Sequence, residues 1–193
     1  MDVQHRKGLL LIGSDGRKSG KTELACAILR HFTPAHVITA VKITTIHAGG
    51  CCPKGGNGCG VCDEVGDSYR ILVEKSSSGA KDTVRLRTAG ADTVFWVQSR
   101  YSALRDARDA LLSFIPQDRL WLCESNSIRL FLEPDIFLLV RKVGRNTIKP
   151  SAQKVVGYAD RIIYSSGADF DPHILAIKNG EWTFVDPNVV LNR

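Results

Sequence analysis

The sequence contains no apolar run long enough to cross a membrane. A membrane-spanning helix needs about 20 consecutive apolar residues, whereas the apolar run at residues 9–12 is interrupted at once by Gly13. This run follows a basic N-terminal segment, but it is too short to be the core of a signal peptide. We therefore expect no membrane segment and a cytoplasmic location.

The basic residues form no runs. Lysine and arginine together number 26 against 20 aspartates and glutamates, for a formal net charge of +6, but they are scattered along the chain. Nucleic-acid-binding proteins usually concentrate such residues in a patch or stripe, so we expect no nucleic-acid partner. The positive balance suits a small anionic ligand such as a nucleoside triphosphate, and it equally fits an ordinary solvated surface.

The strongest motif is a glycine-rich segment at residues 13–22, Gly-Ser-Asp-Gly-Arg-Lys-Ser-Gly-Lys-Thr. It lies between the apolar run and an amphipathic segment at residues 23–29, which is the strand–loop–helix layout of a P-loop. In a P-loop, backbone N–H groups and the helix N-terminus bind phosphate oxygens. We expect Lys21 to reach the terminal phosphates and Thr22 to bind Mg²⁺. The predicted nucleotide-binding residues of the loop are Gly16, Lys18, Ser19, Gly20, Lys21 and Thr22.

One position of the loop departs from the usual motif. The motif has a glycine five residues before its Gly-Lys pair, whereas this sequence has Asp15 there. Lys18 adds a second lysine before the pair. In this respect the loop resembles the P-loop branch that includes dethiobiotin synthetase, nitrogenase iron protein and signal-recognition GTPases.

Apolar segments alternate with amphipathic ones along the chain, which predicts a mostly parallel sheet with helices on both faces. The fold class we expect is a three-layer α/β P-loop NTPase, as a single domain over residues 1–193. Further strands are predicted at residues 37–43, 93–97, 120–123, 135–140 and 161–164, and helices at 67–75, 82–90, 102–114, 125–132 and 149–158. An Asn-Gly pair at residues 179–180 predicts a C-terminal β-hairpin at the sheet edge.

Four of the six cysteines lie close together, in a glycine-rich insertion at residues 47–64. The Cys-x-x-Cys spacing of Cys59 and Cys62 allows two thiolates to hold one metal, and Cys51 or Cys52 can complete the ligand shell. We predict a zinc ion or an iron–sulfur cluster on Cys51, Cys52, Cys59 and Cys62, with His47 or a second chain as a further ligand. A free thiol cluster, a redox pair and a chance local bias are the alternatives.

Several charged residues near predicted strand ends are candidates to assist phosphate chemistry. In a parallel sheet the loops at the carboxyl ends of the strands share one face. Glu124 can hold Mg²⁺ or orient an attacking water, or can serve as a helix-capping charge. Lys42 can neutralise phosphate charge, or it is a surface lysine. Asp82 is either a helix cap or a ligand of the nucleotide site, and His47 is a weaker phosphate contact.

Two segments, taken with the P-loop, resemble a known family. Residues 41–47 read Val-Lys-Ile-Thr-Thr-Ile-His, and residues 81–92 read Lys-Asp-Thr-Val-Arg-Leu-Arg-Thr-Ala-Gly-Ala-Asp. With the turn at Glu124, they are similar to the molybdopterin-guanine dinucleotide biosynthesis adaptor family (MobB). The similarity covers roughly residues 8–165, and the Ala-Gly-Ala stretch is its most specific part.

This resemblance implies a homodimeric protein that binds GTP and helps to attach a nucleotide to the molybdenum cofactor, with a cofactor-biosynthesis or metalloenzyme-maturation protein as partner. By position it places Lys42, His47, Asp82 and Arg85 in the ligand cleft. The cysteine insertion departs from the family pattern. The guanine-reading Asn-Lys-x-Asp motif is also missing, so either GTP or ATP remains possible.

Three functions fit these features. The first is a nucleotide-binding accessory protein of molybdenum-cofactor maturation, with slow hydrolysis that depends on Lys21, Lys42 and Glu124. The second is a metallochaperone-like ATPase that uses the cysteine loop. The third is a small-molecule kinase or ligase of the dethiobiotin-synthetase type, in which Lys42 binds the acceptor.

Overall fold

A seven-stranded sheet forms the centre of the molecule. The computed structural model describes residues 3–47, 65–66, 68–166 and 170–185. In chain order its strands are β1 (Gln4–His5), β2 (Leu9–Ser14), β3 (Ile38–Ile46), β4 (Tyr69–Val73), β5 (Val94–Arg100), β6 (Leu120–Glu124), β7 (Leu132–Glu133), β8 (Ile136–Lys142), β9 (Arg161–Ser165), β10 (Leu175–Lys178) and β11 (Glu181–Phe184). The central sheet has the order β4-β5-β3-β6-β2-β8-β9, and all its neighbouring pairs are parallel except β4–β5. The predicted α/β class with a mostly parallel sheet is confirmed.

Helices cover both faces of this sheet. They are α1 (Lys21–Phe32), α2 (Asp82–Thr88), α3 (Leu104–Phe114) and α4 (Pro150–Gln153). Side chains of a strand alternate between faces, so Leu10 and Ile12 of β2 pack with α1 and α2, while Leu9 and Leu11 pack with α3. The two resulting cores bury β2 completely, because all six of its residues are buried.

Two predicted segment assignments are wrong. The helix predicted at residues 67–75 is in fact the edge strand β4, which pairs antiparallel with β5. Tyr69 and Ile71, two residues apart, both pack on the α3 side, which is the period of a strand. The strand predicted at residues 37–43 in fact continues through Thr44 and Thr45 to Ile46.

The C-terminal hairpin is confirmed as a hairpin, but its predicted position is wrong. Asn179 and Gly180 have φ values of 54° and 75°, as a two-residue type I′ turn requires. β10 and β11 form a separate two-stranded sheet rather than extending the central one. Trp182 of β11 is 3% exposed and packs into the α1-side core, edge-on to Phe32. Buried aromatic area, rather than strand pairing, therefore determines where the hairpin lies.

None of the helices in the described residues is long and apolar enough to cross a membrane.

Candidate functional site

A deep cleft opens at the carboxyl ends of the parallel strands. Its volume is about 1040 Å³, and its walls are residues 16–23 after β2, the end of β3, the turn after β6, and the segment from Lys142 to Lys154. Open α/β sheets bind ligands at this edge. The predicted P-loop, Lys42 and Glu124 lie on one face, as the sequence predicted.

The loop after β2 has a conformation that its sequence explains. Gly20 has φ of 91° and lies so close to Ser165 that an added Cβ would be 2.9 Å from its hydroxyl oxygen. A larger residue is therefore excluded at Gly20. At the start of the loop, Asn126 bonds both backbone groups of Ser14, accepting from its N–H at 2.8 Å and donating to its carbonyl at 2.9 Å.

Asp15, which replaces the usual glycine, is the internal anchor of the loop. Its side chain is fully buried. Oδ1 accepts hydrogen bonds from the Ser19 hydroxyl at 2.6 Å and from Arg145 Nη1 at 2.8 Å, and Oδ2 accepts from the Lys142 N–H at 3.1 Å. Arg145 Nη2 also donates to the Arg17 carbonyl at 2.6 Å. Side-chain contacts thus fasten the loop to the segment after β8.

The two residues of the motif that are predicted to bind phosphate and Mg²⁺, Lys21 and Thr22, begin α1. The Lys21 ammonium donates to the Ser14 hydroxyl across the loop at 3.0 Å. The Thr22 hydroxyl donates to Glu124 Oε2 at 3.3 Å. In P-loops, a lysine above the loop binds the terminal phosphates, and a threonine beside a strand-end carboxylate binds Mg²⁺.

Glu124 is the central carboxylate of the cleft. Its side chain is fully buried, and Oε2 accepts from both Thr22 and the Lys42 ammonium, the latter at 3.1 Å. The other oxygen, Oε1, is buried without a hydrogen-bond partner among the described residues. Buried polar atoms normally have a partner, so Oε1 is suited to a bound metal ion or water.

Lys42 joins Glu124 to Asp82. In the sheet register Lys42 lies directly opposite Glu124, and its ammonium also pairs with the Asp82 carboxylate. Lys42 therefore lies within β3 rather than at its end, which corrects the prediction from sequence. Asp82 is the first residue of α2, whose N-cap is Lys81, so Asp82 is a partner of Lys42 and not the expected helix cap.

The electrostatics of the cleft favour an anion. Basic side chains outnumber carboxylates along its walls: Arg17, Lys18, Lys21, Lys42, Arg85, Lys142, Lys149 and Lys154 against Glu23, Asp82 and Glu124. Burial lowers the pKa of Lys21, and the charge of Lys42 contributes to the same direction. Burial and the neighbouring charges of Lys21, Lys42 and Arg145 lower the pKa of Lys149 to about 8.

The carboxylates stabilise only part of this charge. Burial lowers the pKa of Lys42, but Glu124 and Asp82 outweigh burial, so that its pKa lies above the ordinary value. Burial raises the pKa of Asp82, yet Lys42, Arg85 and Lys21 bring it below the usual range. Lys42 and Asp82 therefore form a stable ion pair, whereas at Lys21 and Lys149 burial and the neighbouring cations outweigh the carboxylates.

The outer wall of the cleft carries the remaining predicted residues. Arg85 donates to Glu23 at 3.1 Å and so connects α2 to the first turn of α1. His47 is exposed and stacks on Tyr101 at a centroid distance of 5.2 Å. Lys18 is exposed and has a φ of 52°. The structure thus brings the P-loop residues, Lys42, His47, Asp82, Arg85 and Glu124 to one cleft.

The predicted metal ligands Cys51, Cys52, Cys59 and Cys62 lie outside the described residues, so the cysteine centre stays a prediction. Within the described ranges, no group of three or more His, Cys, Asp or Glu side chains could hold a metal. A Mg²⁺ ion at Thr22 and Glu124 would therefore take its other ligands from phosphate oxygens and water.

Sequence reasoning missed four residues that line the cleft or support its loop: Asn126 and Lys149 in the lining, and Asp15 and Arg145 as anchors of the loop. Asp15 carried a visible signal, because it broke the glycine pattern of the motif. Arg145 and Lys149 had none, since they follow β8 and reach the loop only through the folded sheet.

Comparisons of the chain with protein-family models, with curated proteins and with solved structures find no match. The geometry of the cleft is therefore the basis for assigning a function.

Proposed function

We propose that this protein binds a Mg²⁺–nucleoside triphosphate in the cleft and hydrolyses it slowly. The observation that carries the proposal is Glu124, a fully buried carboxylate with one unpartnered oxygen, hydrogen-bonded to the threonine of a glycine-rich loop. A carboxylate at the end of the strand beside a P-loop strand is the group that holds Mg²⁺ or orients the attacking water in phosphoryl transfer. The cationic walls support the same conclusion.

Each residue has a role that follows from its place. The loop and Gly20 offer backbone N–H groups to the phosphates, and Lys21 exchanges its Ser14 contact for the terminal phosphate. Thr22 and Glu124 would hold Mg²⁺, which when bound neutralises charge that develops on the phosphates. Lys42 holds Glu124 in place through its hydrogen bond to Oε2.

The nucleotide is proposed to be GTP or ATP, since no described residue of the cleft distinguishes the bases. On the resemblance of residues 41–47 and 81–92, we propose that the protein serves molybdenum-cofactor maturation as a cytoplasmic homodimer, with a maturation protein as partner. The location of Lys42, Asp82 and Arg85 in the nucleotide cleft supports this proposal, because the segments that carry the resemblance meet there. A zinc ion or iron–sulfur cluster on the cysteine loop belongs to the same proposal.

Calorimetric titration of the full chain with Mg-GTP and Mg-ATP tests nucleotide binding. Lys21→Ala removes a charge-assisted contact to phosphate and is expected to weaken binding roughly 10- to 100-fold. Lys178→Ala is the matched control, because Lys178 is exposed on the hairpin. Absence of binding by the unaltered chain, or equal affinities of the two variants, would contradict the proposal.

Hydrolysis is tested separately by phosphate release. Glu124→Gln keeps the size of the side chain but removes its charge, so it should lower the hydrolysis rate by about 10²-fold while the variant still binds nucleotide. Metal analysis of the anaerobically purified protein, compared with Cys59→Ser and Cys62→Ser variants, tests the cysteine centre. Binding of molybdopterin to the nucleotide-loaded protein tests the cofactor role.

A further inference from the structure

The cleft extends well beyond the P-loop. β3 continues for four residues past Lys42, from Ile43 to Ile46, which at about 3.3 Å per residue places Ile46 about 13 Å along the strand from Lys42. Its volume of about 1040 Å³ lies at the upper limit of ordinary ligand pockets, which span about 300–1,000 Å³. The far end has room for a ligand beside the nucleotide.

Three basic side chains line this part of the cleft: His47 and Lys154 at its far end, and Lys149 between them and the glycine-rich loop. They lie close enough for charge to couple them, because burial and the charges of Lys154 and Lys149 lower the pKa of His47. Among the described residues, no carboxylate lies within salt-bridge distance of Lys149 or Lys154. Lys42, by contrast, pairs with two carboxylates. Positive charge at this end is therefore available to a ligand.

Tyr101 holds two of these groups in place. Its ring stacks on His47 at 5.2 Å between centroids, and the Lys154 ammonium lies 5.6 Å from the centre of the same ring. A cation over an aromatic face is attracted to the ring. Both side chains thus have an ordered position that does not use up their hydrogen-bond donors.

The middle of the cleft suits the organic part of a ligand. Trp96 lies opposite Lys42 in the sheet register, is half-buried, and donates its indole N–H to the Thr44 hydroxyl at 3.0 Å. With its N–H bonded to the protein, the indole presents mainly a flat apolar surface to the cleft. Ile43 lines the same stretch.

We propose that His47, Lys149 and Lys154 form a second anion subsite, which binds the phosphate group of a small organic phosphate while the P-loop holds the nucleotide. The inference rests on the proposed function for the identity of the first ligand. Lys149 connects the two sites, because its N–H donates to the Asp15 carbonyl of the P-loop at 2.8 Å while its charge acts on His47. The cleft is therefore built to hold two anions.

Inorganic pyrophosphate is the probe for this subsite. The full chain is first saturated with the β,γ-imido analogue of its nucleotide and Mg²⁺, so that the P-loop is filled, and pyrophosphate is then titrated by calorimetry. We expect a second binding event that Lys154→Gln weakens roughly tenfold, because it loses a charge-assisted contact. Lys154→Arg should restore most of the affinity. The matched control Lys178→Gln, on the exposed face of the hairpin, should leave it unchanged.

The outcomes separate this proposal from the nucleotide proposal. If the analogue binds but pyrophosphate competes with it for one site, or if Lys154→Gln behaves like Lys178→Gln, the second subsite is wrong and the nucleotide site stands. If the analogue fails to bind while pyrophosphate binds in a manner dependent on Lys154, the subsite stands and the nucleotide proposal fails.

Discussion

An aspartate accepts hydrogen bonds at each end of strand β2, but the charges around the two aspartates differ. At the amino end, Asp135 Oδ2 accepts hydrogen bonds from the N–H groups of Gly8 and Trp182, both at 2.9 Å. At the carboxyl end, Asp15 accepts from the Lys142 N–H and from the side chains of Ser19 and Arg145. Each aspartate joins β2 to a segment far along the chain.

The difference lies in charge. Burial raises the pKa of Asp135, and the nearest cationic group within the described residues is His5, 3.9 Å away and charged only when protonated. Trp182, which is 3% exposed, covers this end with its aromatic ring. The carboxyl end has more cations than carboxylates and an open cleft. The amino end is closed by packing, while the carboxyl end keeps an excess of positive charge around an open cleft.

Removing Trp182 should have the largest effect on stability. Trp182→Ala deletes a side chain that is 3% exposed and loses the indole hydrogen bond to the Gly8 carbonyl. We expect the free energy of unfolding to fall by about 3–5 kcal/mol, measured by urea denaturation. Nucleotide affinity at a temperature where the variant is folded should stay within about twofold, because the ring lies at the opposite end of β2. If Trp182→Ala lowered nucleotide affinity without lowering the free energy of unfolding, the contrast between the two ends of β2 would be wrong.

Removing Arg145 should affect both stability and binding. Arg145→Ala leaves the fully buried Asp15 carboxylate without its cation, which we expect to cost about 3 kcal/mol of unfolding free energy. The loop also loses its tie to the segment after β8, so nucleotide affinity should fall roughly tenfold. Arg119→Ala is the control, since its pair with Asp92 is 3.9 Å long and Asp92 is exposed, so that the pair should contribute less than about 1 kcal/mol. Equal behaviour of the two variants would contradict the anchoring role of Asp15.

Local pattern was enough to predict the strand, loop and helix that form the proposed phosphate site. Residues 9–29 are consecutive, so the order of apolar and glycine residues determines how they fold. Glu124 was found for a similar reason, as a carboxylate that directly follows an apolar strand. A site whose residues are close together in the sequence can therefore be predicted from a single sequence.

Contacts between segments that are far apart in the sequence could not be predicted from it. Asp15 was recognised only as a departure, because its partner Arg145 is 130 residues away in the sequence. The hairpin turn was predicted from Asn179 and Gly180, but its position depends on Trp182 reaching Gly8. The edge strand β4 was mistaken for a helix, since a short apolar segment without its neighbour β5 fits either period.

Lys149 should make nucleotide binding depend on pH. Its pKa is lowered to about 8, and an anion favours the charged form, so affinity should fall about five- to tenfold as pH rises from 7.5 to 9.5. Phosphate groups, with a second pKa near 6, are already fully ionised over this range. Lys149→Arg keeps its charge and should bind with nearly constant affinity. Calorimetry at each pH measures both, and an equal slope in the two proteins would exclude Lys149 as the titrating group.

The same group affects the stability of the unliganded protein with the opposite sign. A lysine whose pKa is lower in the folded state binds fewer protons there than in the unfolded chain. As the pH rises from about 8 to the ordinary pKa of lysine, the free energy of unfolding should therefore increase. Lys149→Gln should remove that increase. Urea denaturation at several pH values checks it; a wild-type stability that falls over this window would contradict the assignment.

The smallest effect is expected at the hairpin turn of the closed end. Gly180 has φ of 75° as the second residue of the type I′ turn, so Gly180→Ala should lower the free energy of unfolding by about 1 kcal/mol through backbone strain. Gly157→Ala is the matched control, because Gly157 has ordinary φ and no atom within 4 Å of an added Cβ. Neither variant should alter nucleotide affinity. If Gly180→Ala did weaken nucleotide binding, the two ends of β2 would be coupled, and the division into a closed stabilising end and an open binding end would be wrong.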